Sequence, residues 1–207
     1  MIELYNRDCL EAMREFEDGA FDLAIVDPPY GIGAGSKKFQ NGSSKNKKNY
    51  FREKDWDIAP TKDYFSELMR VSKNQIVWGG NYFIDYLHST RGMIFWDKTI
   101  HGNSYADGEL AWTSFDCNIR YFRKNIVSVT VDGRIHPTQK PVALYTWLLD
   151  NYANEGDKIL DTHLGSGSIA IACHNLGFDL VGFELDEDYF DAASQRLAEH
   201  QKQLRLF

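Results

Sequence analysis

Eight short apolar runs separated by amphipathic stretches constrain this chain more than any other feature. The runs fall near residues 2–5, 21–26, 75–79, 92–96, 109–115, 119–123, 157–161 and 179–184. Strands that alternate with helices form a mostly parallel sheet, because each crossover must pack back onto the sheet it rejoins. The intervening stretches predict helices over about 8–16, 61–72, 80–88, 139–153, 167–176 and 186–201. Leu144, Leu148, Leu149 and Tyr152 recur at helical spacing, and Pro141 suits a first turn, where a missing N–H costs nothing. The expected fold class is α/β, in a single domain over residues 1–207, a length that buries roughly 70% of the surface an unfolded chain exposes.

Composition narrows the setting. Cys9, Cys117 and Cys173 are odd in number and form no CxxC pair, which argues against a disulfide framework or zinc site and for a reducing compartment. The start has no basic region followed by an apolar run, and nowhere do eighteen apolar residues follow one another, so a cytoplasmic protein without membrane contact is expected. The histidines show no HExxH spacing, which disfavours a metal hydrolase.

The formal net charge of -7 is unevenly spread. Between Gly31 and Lys54 the side chains Lys37, Lys38, Lys45, Lys47, Lys48, Arg52 and Lys54 face the single acid Glu53, whereas the chain from Asp150 onward sums to -7. Residues 31–58 are rich in Gly, Ser, Asn and Lys and predict a long loop, of the kind that is functional or disordered in a compact domain. Its lysines suit phosphate contacts, which confer salt-dependent affinity without specifying sequence. A second irregular stretch covers 98–108.

Three constellations carry chemistry. Asp161-Thr162-His163-Leu164-Gly165-Ser166-Gly167-Ser168 joins a strand to an apolar helix, a nucleotide-site geometry in which glycines let the backbone approach a ligand. Some twenty residues on, a strand ends in Glu184, where an acid can accept both hydroxyls of a ribose. The alternative is a tight turn and a solvated acid. Asp27-Pro28-Pro29-Tyr30 follows the apolar run Leu23-Ala24-Ile25-Val26. An exocyclic amino group on a base is a poor nucleophile, since its lone pair is delocalised into the ring. A carboxylate and a proline-fixed carbonyl that accept its two hydrogens would aim that lone pair at an electrophile, and Tyr30 offers a stacking face. The alternative is a rigid turn. His136-Pro137-Thr138-Gln139-Lys140-Pro141 precedes a helix and reads on its chemistry as a start capped by Thr138.

In this order the three stretches resemble the β-class DNA amino methyltransferases, the restriction-modification type of adenine-N6 or cytosine-N4 enzyme. Asn6-Arg7-Asp8-Cys9-Leu10 matches a segment that precedes DPPY in that family, and Gly182-Phe183-Glu184-Leu185-Asp186-Glu187-Asp188-Tyr189 matches one that closes its series. The resemblance implies a Rossmann-like methyltransferase fold: a seven-stranded, mostly parallel sheet with one antiparallel strand, here 109–115, in circularly permuted motif order. It implies S-adenosylmethionine as cofactor. Asp8, with Cys9 beside it, would lie near the adenine and Glu184 at the ribose, with Asp161, Gly165, Ser166 and Gly167 along the methionine half. His136, Thr138 and Lys140 would close the site, Lys140 against the methionine carboxylate. Asp27, Pro28, Pro29 and Tyr30 would handle the target base of double-stranded DNA, and relatives often act as homodimers.

Two departures stand out. Family members commonly have Pro-Phe at Thr162-His163, where His163 either touches the cofactor or, the favoured reading, fills space, and no separate target-recognition region is evident beyond 31–58 and 98–108. Asp27 favours adenine-N6, because cytosine-N4 members more often carry Ser-Pro-Pro-Tyr. A catalytically silent cofactor- or DNA-binding protein is the reading of another class. Enzymes that act on RNA bases or a protein glutamine normally place the cofactor turn first.

Overall fold

The computed structural model describes residues 1–33, 57–100, 102, 106–125 and 134–203. Most of the basic segment expected at 31–58, and part of 98–108, lies outside the described residues. The elements in chain order are β1 (Ile2–Asn6), α1 (Cys9–Met13), β2 (Phe21–Val26), α2 (Lys62–Val71), β3 (Ser72–Trp78), a 3₁₀ turn (Gly80–Tyr82), β4 (Met93–Asp97), β5 (Gly108–Thr113) and β6 (Arg120–Arg123). There follow α3 (Val142–Tyr152), β7 (Lys158–Asp161), α4 (Ser168–Leu176), β8 (Asp179–Glu184) and α5 (Glu187–Lys202).

All eight strands join one sheet in the order β1-β8-β7-β2-β3-β5-β4-β6. Every neighbouring pair is parallel except the two made by β5, which runs against β3 and β4. The reversed strand is therefore the one expected. Among the described residues, however, the sheet has eight strands where the resemblance implied seven. The edge strand β6 completes it, because Phe122 packs 5.5 Å from Trp147 of α3 while the Trp96 indole N–H donates to the Lys124 carbonyl just beyond β6.

The core forms two layers, one on each face. Along β2, Leu23 and Ile25 face the cluster that includes Leu144 and Leu148 of α3, Ile169 and Ala172 of α4, and Ala193 and Leu197 of α5. Ala24 and Val26 face the other cluster, with Met13 of α1 and Phe65, Leu68 and Val71 of α2. A strand buried on both faces has no polar face to alternate with, which is why Phe21–Val26 reads as a nearly continuous apolar run. Helix α2 buries Tyr64, Phe65, Leu68 and Val71, the stripe of a helix with one face against a sheet.

Two helix expectations are corrected. The predicted helix at 80–88 is a 3₁₀ turn followed by turns, in which Phe83 and Leu87 are buried. The chain is pinned at either end instead, by Gly79 in left-handed conformation and by the His88 carbonyl, which accepts the Trp112 indole N–H. The helix expected from 139 begins at Val142, with Pro141 as its cap. Thr138 caps nothing there, since its hydroxyl lies 3.1 Å from the His136 ring.

Candidate active site

The carboxyl ends of β1, β8, β7 and β2 lie along one edge of the sheet, so that Asn6, Glu184, Asp161 and Asp27 follow one another across it. Successive crossovers lead outward from β7 to β8 on one side and from β2 to β3 on the other. This reversal of direction opens a crevice outside the strand ends. A cavity of about 830 Å³ fills it, with Asp27, Pro28 and Tyr30 in one part of its wall and Asp8, Gly165 and Glu184 in another.

Asp27 is the first residue beyond β2. Its Oδ1 accepts the Tyr30 hydroxyl at 2.7 Å and its Oδ2 accepts the Lys140 ammonium at 2.5 Å. The same ammonium lies 2.9 Å from Glu109 Oε2, and Glu109 Oε1 is 2.5 Å from Lys98 Nζ. Lys140 is 3% exposed and sits 5.2 Å above the Trp78 ring. Burial pushes the Asp27 carboxyl above the usual carboxylate range, and Glu109 adds to this against the pull of Lys140 and Tyr30. Burial also opposes the charge of Glu109, but Lys140 and Lys98 outweigh it and hold that carboxyl below its usual range. Lys140 holds its proton firmly, because Asp27 and Glu109 together overcome the cost of burial.

Tyr30 is held as tightly as the carboxylate it serves. It stacks on Tyr82 at 4.9 Å with an interplanar angle of 18° and meets Phe83 edge-on. Gly79, at φ +69°, passes so close that a Cβ there would lie 2.2 Å from Tyr30 Cε1. Burial and the neighbouring Asp27 keep the phenol protonated, so its hydroxyl donates.

At the other part of the cavity, Glu184 accepts the backbone N–H of Gly165 at 2.8 Å on Oε2 and that of Asp186 at 3.0 Å on Oε1. Burial nonetheless raises its carboxyl above the usual range. The turn from β7 to α4 ends in Gly167 at φ +68°, which packs against Ala193 of α5, where a Cβ would meet the Ala193 methyl at 3.1 Å. Arg196 steadies the turn from behind by donating to the Ser166 carbonyl and the Ser168 hydroxyl. The His136 ring covers Gly165 and packs edge-on against Tyr189 at 4.4 Å. Burial, with Lys140 and Arg134 nearby, drops its pKa to about 3, so it is neutral at ordinary pH.

Most of the residues singled out in the sequence line this cavity: Asp8, Cys9, Asp27, Pro28, Pro29, Tyr30, His136, Thr138, Lys140, Gly165, Ser166 and Glu184. Asp8 also caps α1 by accepting the Glu11 N–H, and burial pushes the Cys9 thiol up to about 12. Gly167 and Asp161 are absent from that wall. Asp161 is 2% exposed, accepts the His163 N–H at 3.0 Å and is raised to about 8, chiefly by burial. Lys140, expected against a methionine carboxylate, has its ammonium between two carboxylates of the protein itself. His163 reaches the wall, hydrogen-bonded to Thr162 and edge-on to Tyr64.

Glu109, Tyr64 and Tyr145 line the cavity as well and stand outside the motifs described above. Only Glu109 left a signal, as an acid in the otherwise uncharged strand Gly108–Thr113. The described residues that flank the basic segment border the cavity too, Tyr30 on one side and Asp57 through Thr61 on the other, and the Gly31 N–H donates to Asp57 at 2.9 Å. Among the described residues no helix is long and apolar enough to cross a membrane.

The chain is 25% identical over 235 residues to the type II methyltransferase M.HpaI of Haemophilus parainfluenzae, across 92% of this chain and 72% of that protein. In fold it is similar to the crystal structure of the M1.HpyAVI–SAM complex, with a TM-score of 0.61, 18% identity and coverage of 95% and 99% of the two chains. It is also similar to the cytosine-N4-specific PvuII DNA methyltransferase, with a TM-score of 0.63, 13% identity and coverage of 100% and 88%. The N6/N4 methyltransferase family model, described as DNA methylase, matches residues 44–195. With most of its length inside that match and the methyltransferase fold around its cavity, the chain belongs to the N6/N4 DNA methylase family.

Proposed function

We propose that the protein transfers a methyl group from S-adenosylmethionine to the N6 amino group of adenine in double-stranded DNA. One observation supports this most: a single cavity joins Asp27, Pro28 and Tyr30 to Glu184 and the Gly165-Ser166 turn. The second group suits the cofactor, since the glycine turn leaves room for a ligand against backbone and Glu184 offers two carboxylate oxygens to a ribose. Asp8 and Cys9 lie toward the adenine, and Thr138 with the neutral His136 closes over the turn. Gly167 and Asp161, which do not line the cavity, would act on the methionine half only through the turn they shape between β7 and α4. Bound there, the cofactor would supply an electrophilic methyl on positively charged sulfur, which would keep the bonding pair on transfer while the accepting nitrogen loses one proton.

The chain's own residues make the amino group reactive. Each Asp27 oxygen keeps a lone pair beyond those taken by Tyr30 and Lys140, so the carboxylate accepts one amino hydrogen while the Pro28 carbonyl accepts the other. Tyr30 borders the cavity and Tyr82 does not, so Tyr30 keeps a surface for a base extruded from the duplex. Once alkylated, the nitrogen is acidic and sheds its proton to Asp27 without needing a strong base. The basic segment between Gly31 and Lys54 supplies phosphate contacts.

The test is incubation with labelled S-adenosylmethionine and mixed-sequence duplex DNA, digestion to nucleosides and weighing of the labelled one. N6-methyldeoxyadenosine is expected. Label in N4-methyldeoxycytidine would transfer the same chemistry to cytosine, and bound cofactor with no label in DNA would make the protein a silent binder.

A further inference from the structure

The chemistry proposed above uses Asp27 and leaves Glu109 and Lys98 without a task. Glu109 is the second residue of the reversed strand β5 and pairs in register with Trp96 of β4. Its carboxylate therefore leaves the sheet on the face that carries the Trp96 and Trp78 rings, an apolar setting in which a charge needs a partner. It has two, Lys98 just beyond β4 and Lys140 from the segment before α3. With Asp27 beyond Lys140, four charges of alternating sign run from β4 to the reacting edge, and the side chains of Lys98 and Lys140 are only 12% and 2% exposed. Two acids and two lysines balance, and because Lys140 touches both acids, the Glu109–Lys98 pair is coupled to Asp27.

We propose that Glu109 is a positioning residue for methyl transfer, which acts through Lys140 by drawing part of that ammonium away from Asp27 and so keeps the Asp27 carboxylate a good acceptor for the target amino group. This rests on the methyltransferase reading and deepens it. With Glu109 gone, Lys140 would face Asp27 alone and hold its lone pairs. The other titratable groups around Asp27 are Tyr30 on its own turn, Tyr64 of α2, Tyr145 of α3 and Asp161 of β7. The three phenols stay neutral, raised by burial, and Asp161 accepts from backbone, so none replaces Glu109.

The test reads Asp27 directly. Carboxyl-labelled protein without cofactor is titrated by NMR, with Asp27→Asn used to assign the signal. Glu109→Gln should lower the Asp27 titration by about one pH unit or more, and Lys98→Met should raise it, because nothing then competes with Lys140 for Glu109. The acid limb of kcat should follow in the same directions, with kcat for Glu109→Gln about 10- to 100-fold down and KM for the cofactor unchanged. An Asp27 titration that stays in place in folded Glu109→Gln and Lys98→Met would overturn the proposal, and Lys98→Met decides it alone if the first variant fails to fold. Wild-type protein that methylates no DNA would sink the functional reading; active wild type with an unmoved Asp27 would sink only the role given to Glu109.

Discussion

Gly79→Ala probes the site without removing any reacting group. The new Cβ would lie 2.2 Å from Tyr30 Cε1 and 2.6 Å from Cδ1, against an ordinary carbon contact of about 3.5–4.0 Å. The ring must retreat by roughly 1.5 Å, because the backbone cannot. The Gly79 N–H donates to the Leu110 carbonyl at 2.8 Å, and the Gly79 carbonyl accepts the Tyr82 N–H at 2.8 Å. A retreat of that size breaks the 2.7 Å bond from Tyr30 to Asp27. Left-handed backbone costs alanine about 1–2 kcal/mol, and a lost hydrogen bond to a charged group about 1.5–3 kcal/mol. The variant should lose about 3–5 kcal/mol, which for a chain of this size lowers Tm by roughly 6–20 °C. Calorimetry measures that loss, and a methylation assay should show turnover at least about tenfold down, because Asp27 loses the contact that orients it. Cofactor affinity should hold, since the glycine turn is untouched. A variant that melts and turns over like wild type would show that Tyr30 is not fixed against Asp27.

Two further outcomes follow from buried acids. Asp161 is raised to about 8 by burial against an unfolded value of about 3.9, so between those values the folded protein holds a proton that the unfolded chain has released. Its contribution to stability therefore falls as pH rises from about 4 to about 8 and is flat above. Asp161→Asn keeps an acceptor for the His163 N–H and should stabilise the protein more at pH 8 than at pH 5; urea unfolding with equal shifts at both would contradict this. Glu184→Gln leaves one oxygen for two backbone N–H groups and loses the charge offered to a ribose, so calorimetric titration should find cofactor binding about 10- to 100-fold weaker. Unchanged affinity would remove Glu184 from the cofactor site.

What the sequence reveals follows from range. The strand ends at Asp27, Asp161 and Glu184 are legible because apolar runs stop at an acid followed by turn residues, which is local information. The reversed strand β5 is legible as a run but not in its consequences. Its insertion between β3 and β4 brings Glu109 to Lys140, thirty-one positions away, and no spacing rule connects the two. The resemblance implies a methionine carboxylate as the partner of Lys140, whereas its ammonium is claimed by Glu109 of β5 and by Asp27 just beyond β2. The helix expected at 80–88 fails for a similar reason. Phe83 and Leu87 have helical spacing, but the conformation is set by Gly79 ahead of them and by the contact from Trp112 behind.

A single-turnover experiment on Asp27→Ala goes most directly to the chemistry assigned to this edge of the sheet. Protein preloaded with labelled S-adenosylmethionine is mixed with duplex DNA, with cofactor affinity measured separately. Transfer should be abolished while affinity stays within a fewfold of wild type. Transfer within about tenfold of the wild-type rate would mean that the target amino group is activated elsewhere.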